Sequence, residues 1–171
     1  EMTKPGTSLY GVPEGANPLT IVVPQFTVAS IQQSTPVSGT MNTFSVTLIA
    51  NYDLPMGSTV TISGLTGSQT SSGTLAISST SHHLGSIGTW NQAGLLILTV
   101  ETGGMPAERA CVVIFNLRNP DHAQLSPQVS VSAFVEAIHG DATSSTAFSI
   151  SGMTKPGTAL YGVPHGADPL T

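Results

Sequence analysis

The stretch Asn42-Thr43-Phe44-Ser45-Val46-Thr47-Leu48-Ile49-Ala50 alternates apolar and small polar side chains. A β-strand turns successive side chains to opposite faces, so a period of two marks a half-buried strand. Phe44, Val46, Leu48 and Ala50 are expected inward, with Thr43, Ser45 and Thr47 in water. The same pattern spreads outward to Val60 and Ile62, Leu75 and Ile77, and Leu96, Leu98 and Val100. Its clearest stripe is Val129, Val131, Ala133, Val135 and Ala137, opposed by Ser130 and Ser132. Residues 111–115 are apolar on both faces, which predicts a central strand.

Strands are predicted near 21–31, 42–50, 58–64, 73–79, 84–90, 95–101, 110–117, 128–138 and 145–150. Pro24 removes a ladder donor and suits an edge or a crossing between sheets. Asp53-Leu54-Pro55-Met56-Gly57 and Asn91-Gln92-Ala93-Gly94 carry turn chemistry between strands. No stretch of helical length holds an apolar stripe of helical period. The expectation is an all-β, immunoglobulin-like two-sheet β-sandwich with Greek-key connections and about eight or nine strands. A single cysteine excludes an internal disulfide; Trp90 could fill that space in the core or lie at a hairpin end.

Both ends of the chain carry nearly the same words. Residues 2–20 read MTKPGTSLYGVPEGANPLT and residues 153–171 read MTKPGTALYGVPHGADPLT, identical at 16 of 19 positions and offset by 151 residues. The differences are Ser8 to Ala159, Glu14 to His165 and Asn17 to Asp168. Such self-similarity is the signature of a repeat architecture. The expected organisation is a proline- and glycine-rich linker at 1–20, a module at 21–151 and the linker of the next repeat at 152–171. The chain then reads as a piece of a longer tandem array. Pro5, Pro13 and Pro18, with Gly6, Gly11 and Gly15 between them, exclude a long strand or helix. Leu9, Tyr10 and Val12 are too apolar for a solvated spacer; they pack on their own module or dock on its neighbour. The expected inter-module interface is Leu9, Tyr10, Val12, Pro13, Leu160, Tyr161, Val163 and Pro164, with Ile21, Val22 and Val23 as the segment most able to add to a neighbour's open sheet edge.

Composition narrows the function classes. Only 8% of residues are charged, against about 25% in an average soluble domain. A surface of Ser, Thr, Gly, Asn and Gln suits an extracellular or cell-surface setting. Net charge is -5, and Lys4, Arg109, Arg118 and Lys155 are scattered, which argues against nucleic acid and anionic membranes as partners. No window is long and apolar enough for membrane insertion. The hydroxyl runs Thr66–Gly73 and Thr143–Thr146 are candidate O-glycosylation sites, and no Asn-x-Ser/Thr sequon occurs. Cys111, in an apolar run without a cationic neighbour, reads as a small core residue.

Chemistry-bearing patterns are sparse. Adjacent His82 and His83 point to opposite faces if extended and make a poor chelate. Asp121-His122 reads as a turn, and no Gly-x-Ser-x-Gly elbow supplies a nucleophile. Calcium at the junctions is the metal to consider, with Glu14, Asp53, Glu136, Asp141 and Asp168 as oxygen donors, but they follow no loop signature. Paired carboxylates for a hydrolase would have to come from Glu101, Glu108, Asp121, Glu136 and Asp141 by convergence of the fold. For glycans, Tyr10, Tyr52, Tyr161 and Trp90 are the amphipathic planar side chains. No enzyme is expected, and no catalytic residue or cofactor is assigned.

The stretches Asn42–Asn51, Leu54–Gly67, Val113–Pro120 and Ser126–Ser132 resemble modules of giant repetitive cell-surface and filament proteins of unicellular algae. The likeness covers most of 21–135 and does not extend to the proline-rich segment. It implies a surface or filament protein and carries over no catalytic residue. The expected function is a structural repeat module of an extracellular fibre, flagellar hair or surface coat, joined head to tail to neighbouring copies of itself. The alternative is an adhesin that binds glycans with the avidity of an array.

Overall fold

The alternating stretch around Phe44 is strand β2 (Met41–Ala50), and Phe44, Val46, Leu48 and Ala50 are all fully buried. A computed structural model describes residues 3–135, 146–148 and 150–171 of the chain. It is all-β. The strands are β1 (Phe26–Gln33), β2, β3 (Thr59–Ser63), β4 (Gly73–Ser79), β5 (Leu84–Asn91), β6 (Leu95–Val100), β7 (Cys111–Arg118), β8 (Ser130–Val135), β9 (Thr146–Ala147) and β10 (Ser151–Gly152). Among the described residues the one helical turn is the 3-10 segment Thr80–His82.

The ladders are antiparallel and form one path, β1-β2-β7-β4-β5-β6-β3-β8-β10, with β9 on β8. A parallel bridge between Ser30 and Thr154 brings β1 near the other end of that path and nearly closes it. Two separate sheets were expected; hydrogen bonding gives one, because β4 changes neighbours halfway along. Gly73–Ala76 pairs with β5, and Ile77–Ser79 pairs with β7. A strand that serves two neighbours in turn folds the sheet back on itself, so the inward faces meet around one core.

That core takes Ile31, Phe44, Leu48, Phe115 and Leu117 from one part of the path and Ile62, Trp90, Leu96, Leu98 and Val131 from the other. Phe44 and Phe115 stack at 5.5 Å. Trp90 meets both expectations, being buried in the core close to the Asn91–Gly94 hairpin turn and donating Nε1–H to the Thr70 carbonyl at 2.9 Å. β7 lies between β2 and β4, as a central strand should, although Ile114 on its outer face is exposed. Cys111 is buried and unpaired, and burial pushes its thiol up to about 11.

The expected first strand begins five residues late. Pro24 lacks a ladder donor, and the Asn51 side chain holds the backbone instead, accepting from Gln25 N–H and donating to the Val23 carbonyl. Ile21-Val22-Val23 therefore leads into β1 as coil beside Tyr52. Ala137 and the end of the expected 128–138 strand lie outside the described residues.

Candidate inter-module interface

The two copies of the repeated segment fold alike. Leu9 and Val12 exchange backbone hydrogen bonds at 3.1 and 3.0 Å, and Leu160 and Val163 do the same at 3.1 and 3.0 Å. Ala16 N–H donates to Thr7 and Ala167 N–H to Thr158, both at 3.2 Å. The left-handed positions match too: φ is 51° at Tyr10 and Tyr161, 55° and 57° at Glu14 and His165, and 64° and 54° at Leu19 and Leu170. Gly6 N–H donates to the Asn17 side chain at 2.8 Å, and Gly157 N–H to Asp168 at 2.7 Å.

The substitutions between copies compensate one another. In the first copy Asn17 Nδ2 donates to the Glu14 carboxylate at 3.3 Å. In the second, His165 Nδ1 lies 3.7 Å from the Asp168 carboxylate. Both copies keep a polar approach between these two positions, a hydrogen bond in the first and a 3.7 Å contact in the second. This segment is a folded motif with its own hydrogen-bond pattern, and more than an extended spacer.

The copies differ in what they touch. The first copy sits at the Ala50 end of β2. Tyr10 lies against Tyr52 with ring centroids 5.4 Å apart, a pairing worth about 0.5–1.5 kcal/mol beyond area burial. The Tyr10 carbonyl accepts from Asp53 N–H at 3.0 Å, and the Asp53 carboxylate accepts from Ala107 N–H at 2.7 Å. Gly11 closes the contact: a Cβ there would stand 2.5 Å from both the Ala107 Cβ and Asp53 Oδ1. Burial, with Tyr10 and the Asp53 carboxylate beside it, holds the Tyr52 phenol above its usual value.

The second copy sits at the Met41 end of β2, about 30 Å away along a ten-residue strand. Its seat is a buried amide network. Asn42 Nδ2 donates to Gln33 Oε1 at 2.8 Å and to Asn119 Oδ1 at 2.7 Å, and Asn119 Nδ2 donates to the Thr35 and Val37 carbonyls. Gln33 presents this network to the segment: its Nε2 donates to the Gly166 carbonyl at 2.9 Å, and its Oε1 accepts from Leu170 N–H at 2.7 Å. Gln33 N–H adds a bond to the Ala167 carbonyl at 3.1 Å. Gln124 Nε2 and the Ser126 hydroxyl donate to the Leu170 and Pro169 carbonyls, and Lys155 Nζ donates to Ser126 and Pro127. Leu170 joins the main hydrophobic core.

No protein-family model matches the chain, and no curated protein is similar to it. One solved structure with some likeness is AvmM, which catalyses macrocyclization in alchivemycin A biosynthesis. The likeness covers 78% of this chain and 92% of AvmM at 12% identity and a TM-score of 0.35, too low to carry an argument about either protein's chemistry.

Leu9, Tyr10, Val12 and Pro13 thus fall at one end of the module, and Leu160, Tyr161, Val163 and Pro164 at the other. Ile21, Val22 and Val23 have no strand partner among the described residues. The reading of the sequence missed Gln33, Asn42, Asn119 and Gln124. Asn42, an amide at an inward position of an apolar alternation, was the one signal that could have found them. Gly166, Ala167, Pro169 and Leu170 also lie outside the expected interface, and Asp168 was expected only as an oxygen donor to calcium.

Among the described residues no group of three or more His, Cys, Asp or Glu side chains is placed to hold a metal. Asp53 and Asp168 are engaged as above, and Glu136 and Asp141 lie outside the described residues, as does His139. His82 ends the 3-10 turn with φ of 54° and is exposed, so the pair His82-His83 is not extended. A cleft of about 310 Å³ is lined by Ser30, Gln32, Ser45, Thr47, Thr154 and Lys155 and holds no aromatic ring. In the Thr66–Gly73 run, Ser68 and Thr70 serve the fold through Arg118, while Thr66, Ser71 and Ser72 are exposed. Thr143–Ser145 lies outside the described residues. Among the described residues no helix is long and apolar enough to cross a membrane.

Proposed function

We propose that this chain is a structural repeat module of an extracellular fibre, flagellar hair or surface coat, joined head to tail to copies of itself through the repeated proline-rich segment. What supports this reading above all is that the segment is folded and seated at both ends of the module, instead of hanging free. All three tyrosines belong to such seats or their equivalents: Tyr10 and Tyr52 in one, Tyr161 at the position matching Tyr10. A glycan-binding adhesin would need planar amphipathic side chains around a shallow site; the clefts that hold tyrosine, of about 330 Å³ beside Tyr10 and about 230 Å³ beside Tyr10 and Tyr52, belong to the seat of the first copy. The low charge and the exposed hydroxyls fit an extracellular location with sugars on Ser or Thr.

For the architecture we keep the immunoglobulin-like sandwich with Greek-key connections. β1, β2 and β7 would form one layer and β5, β6, β3 and β8 the other, with β4 crossing between them. The shared buried cluster supports this reading.

The test is electron microscopy of native material labelled with antibody to residues 21–135. Linear fibres marked at a constant axial interval are expected. Label found only on isolated globules would end the structural reading. Binding of the full chain to immobilised glycans, competed by free sugar, would favour the adhesin instead.

A further inference from the structure

Each copy of the segment uses one face and leaves the other bare, and the bare face of one is the used face of the other. Leu170 is 0% exposed in its seat, whereas the matching Leu19 is 94% exposed. Val12 is 9% exposed and the matching Val163 is 40%. Tyr10 is half-buried against Tyr52, whereas Tyr161 is 78% exposed. The first contact uses Tyr10, Gly11 and Val12; the second uses residues 166–170. These two sets share no position of the motif.

We infer that the segment is a two-faced clasp: in an array, a single copy seats its residue 166–170 face on the Gln33–Gln124–Ser126 end of the module before it. Its Tyr161-Gly162-Val163 face then seats on the Tyr52–Asp53–Ala107 end of the module after it. This rests on the array reading above and names the surfaces that read it. The partner of each bare face is therefore a second copy of this chain.

Three observations carry the inference. Both copies already hold the same backbone conformation, so neither needs to refold to accept the second contact. The two seats lie at opposite ends of β2, so two modules gripping one copy need not collide. Finally, the bare faces carry the residues of the used ones: Leu19 matches the buried Leu170, and Tyr161 and Val163 match Tyr10 and Val12. At Gly11 contact as well as conformation asks for glycine, because a Cβ would run into Ala107 and Asp53; at Gly162 the left-handed φ of 79° alone asks for it.

The test is a chain of two units, residues 1–171 followed directly by a second 21–171, with Tyr161→Phe in the last copy so that only the middle Tyr161 is read. Tyrosine labelling by a diffusible oxidant is compared with that of the one-unit chain. Tyr161 is expected to label freely in one unit and to fall to the rate of Tyr10 in two. Gly162→Ala in the middle copy should restore free labelling. The same substitution in the one-unit chain should leave the amide exchange of Gln33 N–H, which donates to the Ala167 carbonyl, unchanged; that controls for the strain of alanine at a φ of 79°. A middle Tyr161 that labels as fast as in the one-unit chain, or protection that survives Gly162→Ala, would overturn the clasp. Neither result touches the array itself, which stands or falls on the native fibres.

Discussion

Leu19 and Leu170 offer a matched pair: the same side chain after the same proline, on the same left-handed backbone, in opposite environments. Truncating Leu170 to alanine removes a fully buried side chain from the core and should cost about 2–5 kcal/mol. Leu19→Ala removes a side chain that touches water, and surface changes of that kind stay within about 0.5 kcal/mol. Backbone strain and helix or strand propensity cancel between the two, so their difference reads burial alone. For a domain of this size the buried loss corresponds to roughly 4–20 °C in Tm.

There is a ceiling on that loss. Once the cost exceeds the free energy of docking, the segment lets go while the strands stay folded, and the global transition stops responding. Amide exchange sees what the global transition would then hide. Ile31 N–H donates to the Thr154 carbonyl and Gln33 N–H to the Ala167 carbonyl, so both are protected by the docked segment. A loss of 2 kcal/mol should speed their exchange roughly thirtyfold in Leu170→Ala, at about tenfold per 1.4 kcal/mol. In Leu19→Ala they should not change. Equal behaviour of the two variants by both measurements would refute the claim that the second copy is seated on its own module in solution.

Gln33→Leu keeps the volume and strips the amide, leaving Leu170 N–H and the Gly166 carbonyl without partners at about 1–3 kcal/mol each; unchanged urea stability would argue that water replaces it. Trp90→Phe leaves the Thr70 carbonyl unpaired and should cost about 1–3 kcal/mol in thermal unfolding, with no loss expected only if that carbonyl finds another donor. Alkali should weaken the fold. Cys111 ionises near 9.0 when unfolded but is pushed up to about 11 by burial, so stability present below pH 9 is lost as pH rises towards 11. The raised Tyr52 phenol acts in the same direction at still more basic pH, and Cys111→Ala should flatten the Cys111 part of the slope in pH-dependent urea titrations. The one-unit chain should be monomeric by light scattering, since both seats are filled from within; concentration-dependent growth would mean that the segments exchange between chains.

Much of the strand content was legible because alternation at period two is a local property. β4 runs over the predicted 73–79, and β5, β6 and β7 fall within a residue of their expected ends. The change of neighbours within β4 was not legible: which strand pairs with Ala76 and which with Ile77 depends on contacts far away in sequence. The repeat was legible as text and its two roles were not. Nothing local distinguishes Leu19 from Leu170, and Gln33 gives no sign that its amide faces a segment 133 residues away. The buried amide network shows the same limit, since Asn42 interrupts an apolar stripe but its partners lie in three different loops and strands.

The small size of each contact is what the proposed array would require. One tyrosine pair and one backbone hydrogen bond, from Asp53 N–H to the Tyr10 carbonyl, hold one face; one leucine and a handful of amide bonds hold the other. Free modules with faces this small would not associate at ordinary concentrations, because docking must offset several kcal/mol of lost rotational and translational freedom. A covalent joint changes that balance, since a short linker holds the seat at an effective concentration in the millimolar range. Weak faces then suffice within a chain and stay silent between chains. The contact is also heterologous, with unlike surfaces meeting head to tail, and such contacts extend without closing when the rotation per unit does not return on itself. Stiffness along the fibre would then come from the joint being folded on both sides. In such a joint a Cβ at Gly162 would meet the next module as one at Gly11 would meet Ala107 and Asp53.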